Sequence, residues 1–513
     1  MENLNLTNVR VRIAPSPTGF VHIGNLRTIL YNYLFAKHYK GKFIIRIEDT
    51  DQSRFVPGAL ENLLGVLQWA GFENDEGPFI TPENTLGEKG EFGPYIQSAR
   101  LKIYHDYIQQ LLDKNKAYCC FCPKERLEKL RADQVANKKA PKYDNFCRNL
   151  SREEVQSMLA GGTPHVIRFK MPENKEIIVK DIIRGNIIVN SKDLDDYVLM
   201  KADGFPTYHF ASIVDDHLMK ITHVMRGEEW IASAPKHVLL YEAFNWQPPL
   251  FAHLPQLLSK SKKKLSKRDG DASVQDFIEK GYLKKALLNF IALLGWNSGT
   301  EQEIYSMDEM IKQFTLDNVH KAGAVFDIDK LDWINGVYIR ELSIDEFYNE
   351  CLPYLVNSDL LSISGEKLVI NETGERVKPG FVKDILSLEQ TRIKRLNEIP
   401  EAIGYFFRHE LDYQPEALIW KKSDREQTIE NLQNLIKLLK KIKLHEFTKE
   451  NLEKLIFEFL ENKSIDTGSM LWPMRFALSG QAKSPGPFEI ADALGRKKTI
   501  ERIESAIAKL QNQ

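Results

Sequence analysis

Cysteine is scarce in this chain. There are five in 513 residues, an odd number and far too few for a disulfide framework. Long apolar runs are missing as well. The longest nearly apolar stretch, 286–296, is broken by Asn289, well short of the roughly 18 residues a membrane helix needs. No basic segment followed by an apolar stretch opens the chain, so no secretory leader is expected. Charge of one sign is not in excess either: 70 Lys and Arg face 71 Asp and Glu, a formal net charge of −1. That balance excludes a uniformly basic nucleic-acid coat, though not local basic patches. No internal repeat is found, and the low-complexity segment is the Lys/Ser run 259–267. These absences point to a cytoplasmic, reducing compartment without membrane attachment. Hydrophobic residues at 43% and charged residues at 27% are ordinary globular values, and the length suggests several domains.

The N-terminal third reads as α/β. Residues 9–13 alternate as a strand, 15–24 form a Pro- and Gly-rich loop, 25–39 a helix, and 43–47 a second strand. That order suggests a parallel sheet with right-handed crossovers. A helix follows over 60–71, ending at a glycine, then a loop rich in Gly, Pro and Glu over 73–94. Helical patterns recur at 99–116 and 124–138, and residues 165–190 are β-like. After about residue 270 the pattern is helical to the end, with Ile429, Leu432, Leu435, Ile436 and Leu439 at three-to-four spacing. The expected architecture is an α/β nucleotide-type domain with an inserted segment, followed by a helical half. Ligands of open parallel sheets sit beyond the C-terminal strand ends, so chemistry is sought after Ile13 and Ile47.

Two segments stand out there and farther along. Residues 14–25, Ala-Pro-Ser-Pro-Thr-Gly-Phe-Val-His-Ile-Gly-Asn, join a strand to a helix. Glycines allow close backbone approach, a helix start offers N–H groups and a positive dipole end to phosphate, and His22 can donate to a phosphate oxygen. Residues 260–270, Lys-Ser-Lys-Lys-Lys-Leu-Ser-Lys-Arg-Asp-Gly, are dense in cations. They are suited to charge developing on an α-phosphate and a departing pyrophosphate. Taken alone, each also fits a plain turn or a solvated charged loop.

Together the two segments resemble the paired HIGH and KMSKS signatures of class I aminoacyl-tRNA synthetases, here His22-Ile23-Gly24-Asn25 and Lys264-Leu265-Ser266-Lys267-Arg268. Residues 12–19 (RIAPSPTG), 46–51 (RIEDTD), 203–209 (DGFPTYH), 214–217 (VDDH), 226–230 (RGEEW) and 326–340 are similar to those of bacterial glutamyl-tRNA synthetases. The resemblance runs from residue 9 nearly to the end. It implies a Rossmann-type parallel-sheet catalytic domain with an inserted α+β domain, followed by an all-helical C-terminal anticodon-binding half. In segments, that means a catalytic domain at 1–94 and 207–257 split by an acceptor-stem-binding insertion at 95–206. A stem-contact domain with the lysine loop follows at 258–335, then two anticodon-binding helical domains at 336–400 and 401–513.

The implied reaction is attack of the glutamate α-carboxylate on ATP, carried with Mg²⁺, to give glutamyl-adenylate and pyrophosphate. The terminal tRNA adenosine then takes the acyl group. His22, Lys264 and Lys267 are the implied catalytic residues, with His22, Gly24, Asn25 and Lys267 at ATP. The glutamate-binding positions carry over to Arg12, Ala14, Ser16, Glu48, Tyr208, Ser212 and Arg226, Ser212 being smaller than the pattern leads one to expect. Arg12 and Arg226 can each hold a carboxylate bidentately, and the sequence does not choose which one meets the side-chain carboxylate. Cys120, Cys122 and Cys147 have the C-x-C…C spacing of a structural zinc site, with Tyr143 as a fourth candidate and Asn149 where a histidine would complete the set. Arg392 matches the anticodon-reading arginine, and Lys421, Lys422, Lys437, Lys440, Lys441 and Lys443 offer charge to RNA phosphate. The implied partner is tRNA(Glu), with tRNA(Gln) left open, and the implied state is a monomer. A glutaminyl enzyme, a catalytically silent RNA-binding paralogue and a nucleotidyltransferase outside tRNA charging are the competing readings. The helical half disfavours the first and last.

Overall fold

The computed structural model describes residues 6, 8–265, 273–365 and 367–512. The chain divides into two compact units. One comprises residues 1–277 and 287–328, the other 278–286 and 329–513.

The first unit is built on a six-stranded sheet. In spatial order its strands are Lys42–Ile45, Arg10–Ile13, His223–Gly227, Leu250–Leu254, Glu176–Asp181 and Gly185–Asn190. The first five run parallel and the last is an antiparallel edge. Successive strands depart in opposite directions from the junction of Arg10–Ile13 and His223–Gly227. That junction is therefore the switch point at which such sheets bind ligands. Val11, Phe43, Ile44, Val224 and Ala252 are buried almost completely, as strands covered on both faces require. The helix Ile23–His38 buries Leu26, Leu30, Leu34 and Phe35. The helix Ala59–Ala70 stops where Gly71 takes φ 76°, a left-handed conformation that glycine adopts without a Cβ penalty.

Two expectations change here. The loop over 73–94 contains a hairpin, Gly77–Ile80 with Leu86–Lys89, its Gly, Pro and Glu content masking the alternation. The hairpin Glu176–Asp181 and Gly185–Asn190 extends the main sheet through a Phe251–Asp181 pairing, so a boundary at residue 206 cuts across that sheet. Ala117–Cys120, Val166–Phe169 and Val198–Met200 form a separate three-stranded sheet within 95–206.

The second unit is helical, with Ile344–Asn357, Arg425–Leu439, Lys449–Lys463, Thr467–Ser479 and Pro487–Gln511, the last broken at Gly495, among its longer helices. Ser343 and Glu346 close a reciprocal capping box at the first. The expectation of an all-helical half is corrected by an antiparallel sheet of Leu361–Ser364, Lys367–Ile370 and Arg376–Val377. Among the described residues no helix is long and apolar enough to cross a membrane.

Candidate active site

A cleft of about 660 Å³ opens at the C-terminal ends of the switch-point strands. Its wall includes Arg12, Ala14, Ser16, Asn25, Glu48, Tyr208 and Arg226. Pro15 and Pro17 lack the N–H a strand would need, so the chain leaves the sheet after Ile13. Carbonyl oxygens of Pro15 and Pro17 accept from the N–H of Glu48 (3.0 Å) and Val56 (2.9 Å). The loop is thus clamped to the segment after the second strand, and Glu48 faces the cleft. Ser212 is buried on the same helix as Tyr208, Tyr208–Leu218, and is not part of the wall.

Beneath the cleft lies a lattice of buried charge. Arg12 donates to both Asp216 oxygens (3.0 and 3.3 Å). Arg46, fully buried, donates to Asp216 (2.7 Å) and Glu48 (3.1 Å). Asp215 accepts from Arg100 (2.7 Å), Gln97 (2.8 Å) and Tyr104 (2.8 Å). Burial opposes the Arg12 charge, yet Asp216 more than restores it and the guanidinium pKa lies above its ordinary value. Burial likewise works against ionised Asp216, but Arg12 and Arg46 hold its carboxyl below the usual range. For Glu48 the balance tips the other way. Burial dominates the pull of Arg46 and Arg12, raising its pKa to about 7. A cationic ligand group beside it would complete its ionisation.

Arg226 differs from Arg12 in kind. It is 6% exposed, and its partners are His253 Nε2 (3.0 Å), the Tyr208 hydroxyl (2.9 Å), His237 Nδ1 (3.3 Å) and the Trp230 carbonyl (3.5 Å). Among the described residues no carboxylate pairs with it. Buried charges are ordinarily paired, so an unneutralised guanidinium on a cleft wall is ready for an anionic ligand. Sequence reasoning missed His253, His237 and Asp181 around it, and gave no role to His209 although it closes the 203–209 motif. These residues stand between 11 and 72 positions from their partners here.

Residues that flank the lysine segment on either side, Leu257 and Ser273–Val274, meet the histidine segment. His22 caps the helix Ile23–His38, its Nδ1 accepting from Gly24 N–H (3.0 Å). The ring proton is thereby directed to Nε2, leaving that nitrogen a donor. The expectation of free N–H groups at this helix start is corrected: Gly24 N–H is held by the His22 ring, and Asn25 and Leu26 N–H bond the His22 carbonyl. His22 and Gly24 are not on the cleft wall, whereas Val21 and Asn25 are. His22 forms a β-bridge with Ser273, and Val274 N–H donates to the Val21 carbonyl (3.1 Å). At the other end, Leu258 bridges to exposed Lys264, and a Cβ on Gly24 would touch Leu257. Lys267 and Arg268 fall at 266–272, outside the described residues.

The sulfurs of Cys120, Cys122 and Cys147 lie within 4.8 Å of one another. The Tyr143 hydroxyl is 3.3 Å from Cys120 Sγ and 3.5 Å from Cys122 Sγ. Three thiol sulfurs and one phenol oxygen converge, a donor set that fits a four-coordinate structural metal site. Tyr143, whose hydroxyl touches two of the sulfurs, is the candidate for the fourth position. In the second unit Arg392 is solvent-facing and held by Glu389 (2.9 Å). Lys440 and Lys443 pair with Glu504 and Glu446.

A family model described as class I tRNA synthetases (E and Q), catalytic domain, matches residues 8–333, and an anticodon binding domain matches 346–507. The chain is 46% identical to a glutamate–tRNA ligase of Clostridioides difficile strain 630, over 97% of this chain and 98% of that protein. It is 47% identical to one from Clostridium botulinum strain Hall, over 99% of each. Among solved structures it is similar to a glutamate tRNA ligase of Elizabethkingia meningosepticum in complex with its amino acid. There the TM-score is 0.85 and the identity 39%, over 98% of this chain and 100% of that one.

Proposed function

We infer the chemistry from one premise: the chain belongs to the class I tRNA synthetases of the glutamate and glutamine type. It is an aminoacyl-tRNA ligase, a glutamate–tRNA ligase that activates L-glutamate with ATP and Mg²⁺ and passes it to tRNA. The observation that carries the amino-acid assignment is Arg226, buried on the cleft wall with only neutral partners. Arg226, helped by the Tyr208 hydroxyl, holds the side-chain carboxylate. Glu48 accepts from the α-ammonium, and Ala14 and Ser16 line the loop over the substrate backbone. Arg12 supports this floor through Asp216 and is not the primary anion partner.

His22 Nε2–H, Asn25 and the helix dipole receive the ATP phosphates, and Lys264 and Lys267 meet the pyrophosphate as it departs. No protein nucleophile is needed. Positioning and charge stabilisation supply the rate. Residues within 95–206 meet the acceptor end and the second unit meets the anticodon, with Arg392 among its readers. The enzyme works as a cytoplasmic monomer on tRNA(Glu). Aminoacylation of tRNA(Glu) and tRNA(Gln) with labelled glutamate, and in parallel with glutamine, tests this reading. Glutamate on tRNA(Glu) alone is expected. Charging of both tRNAs with glutamate marks a non-discriminating enzyme, and preference for glutamine overturns the assignment.

Cys120, Cys122, Cys147 and Tyr143 would hold zinc, a structural ion that would fix the insertion around them. About one zinc per chain is expected in protein purified without chelator; less than about 0.2 removes the ion from the account. Replacing Cys147 by serine should release the metal and lower the melting temperature of the chain.

A further inference from the structure

Arg226 is held by hydrogen bonds whose proton positions can be counted. A guanidinium offers donors only. Every ring nitrogen facing it must therefore present a lone pair. His253 faces Arg226 with Nε2 at 3.0 Å and Asp181 with Nδ1 at 2.6 Å, so its proton sits on Nδ1. Asp181 is fixed as the acceptor, since the N–H groups of Ile183 (3.0 Å), Arg184 (2.7 Å) and His253 (3.1 Å) also point at its carboxylate. His237 faces Arg226 with Nδ1 and lies 3.1 Å from His209 Nδ1 through Nε2. Its proton therefore sits on Nε2, and His209 accepts it. Both rings touching Arg226 are consequently neutral. Burial lowers the pKa of each in the same direction, with the Arg226 charge adding to it.

We propose that His253 and His237, backed by Asp181 and His209, are positioning residues that orient the Arg226 guanidinium through lone pairs alone, so that its charge stays whole for the carboxylate of the amino-acid substrate. The contrast lies in the same cleft, where Arg12 is oriented just as firmly but by a carboxylate, Asp216. An Arg226 oriented in that way would carry little net charge, and glutamine would fit beside it nearly as well as glutamate. The negative charge that anchors the His253 arm is on Asp181, one imidazole ring away from the guanidinium. These residues determine specificity without touching substrate.

The inference rests on Arg226 being the carboxylate-holding residue, and the experiment separates the two. His253→Gln keeps an acceptor without charge; His253→Glu is close in size and adds the charge. In tRNA-supported ATP–pyrophosphate exchange, His253→Gln should stay within about threefold of the parent glutamate KM. His253→Glu should raise that KM by about a hundredfold and lower the glutamate-over-glutamine preference by a similar factor, with the ATP KM unchanged. Since His253→Glu places a carboxylate near Asp181, the pair His237→Gln and His237→Glu repeats the comparison away from it, with thermal melting to establish folding. If the Gln and Glu variants at both positions shift glutamate KM and selectivity equally, the inference is wrong. If Arg226→Ala itself leaves the glutamate KM unchanged, the underlying reading is wrong instead.

Discussion

Replacing Arg226 by alanine should raise the glutamate KM by a hundredfold or more and all but remove the preference for glutamate over glutamine, with the ATP KM little changed. The two amino acids are nearly the same size, so cleft shape cannot separate them. What separates them is the state of the arginine after binding. With glutamate its charge is met. With glutamine it stays buried and uncompensated, at a cost of about 3–5 kcal/mol, and each 1.4 kcal/mol or so is a factor of ten. A site that rejects the wrong ligand in this way needs no editing step. Arg12→Ala should behave differently. Arg12 is paired with Asp216, and its loss leaves Asp216 with Arg46 and Glu48 in a buried lattice short of one positive charge. Its main effect should be a stability loss of about 3–5 kcal/mol in denaturant unfolding. Equal and purely kinetic effects at both positions would show that the division between the two arginines is mistaken.

That division could not be read from the string. Arg12 and Arg226 stand in equivalent places, each near the end of an apolar strand and each before a turn. Only folding shows that one meets Asp216 and the other meets imidazoles from positions 237 and 253. What was legible is what is local. The strand, loop, helix and strand from residue 9 to 47 declare themselves through alternation, prolines and glycines, and the cleft sits where that order says it should. Hairpins were the weak point. Gly77–Ile80 with Leu86–Lys89 lies among turn-forming residues, and Lys367–Ile370 is a four-residue strand in a helical neighbourhood. The hairpin Glu176–Asp181 and Gly185–Asn190 read correctly as β, but its allegiance to the main sheet depends on pairing with a strand about 70 residues on, which no local pattern encodes. Tyr143 was named from the sequence as a candidate fourth ligand, and its hydroxyl lies against the Cys120 and Cys122 sulfurs because the chain between Cys122 and Cys147 folds back.

Lys267→Ala should lower the rate of glutamyl-adenylate formation by about a hundredfold to a thousandfold, the usual loss when one preorganised partner of developing charge is removed. The described residues on both sides of 266–272 return to the histidine segment. On one side Ser273 bridges His22 and Val274 bonds Val21; on the other, Leu257 lies against Gly24. Charge accumulates on the α-phosphate and leaving pyrophosphate only as the anhydride bond breaks, so a cation acting there affects kcat and leaves ground-state glutamate binding alone. Glutamate KM should stay within about threefold of the parent value, and transfer to tRNA from pre-formed glutamyl-adenylate should proceed at the parent rate. His22→Ala should lower adenylate formation in the same assay, since the Gly24 contact to Nδ1 places the ring proton on Nε2 as a donor. A Lys267→Ala enzyme that forms adenylate normally but transfers slowly would move this lysine from the first chemical step to the second. Normal rates in both steps would remove it from the catalytic set.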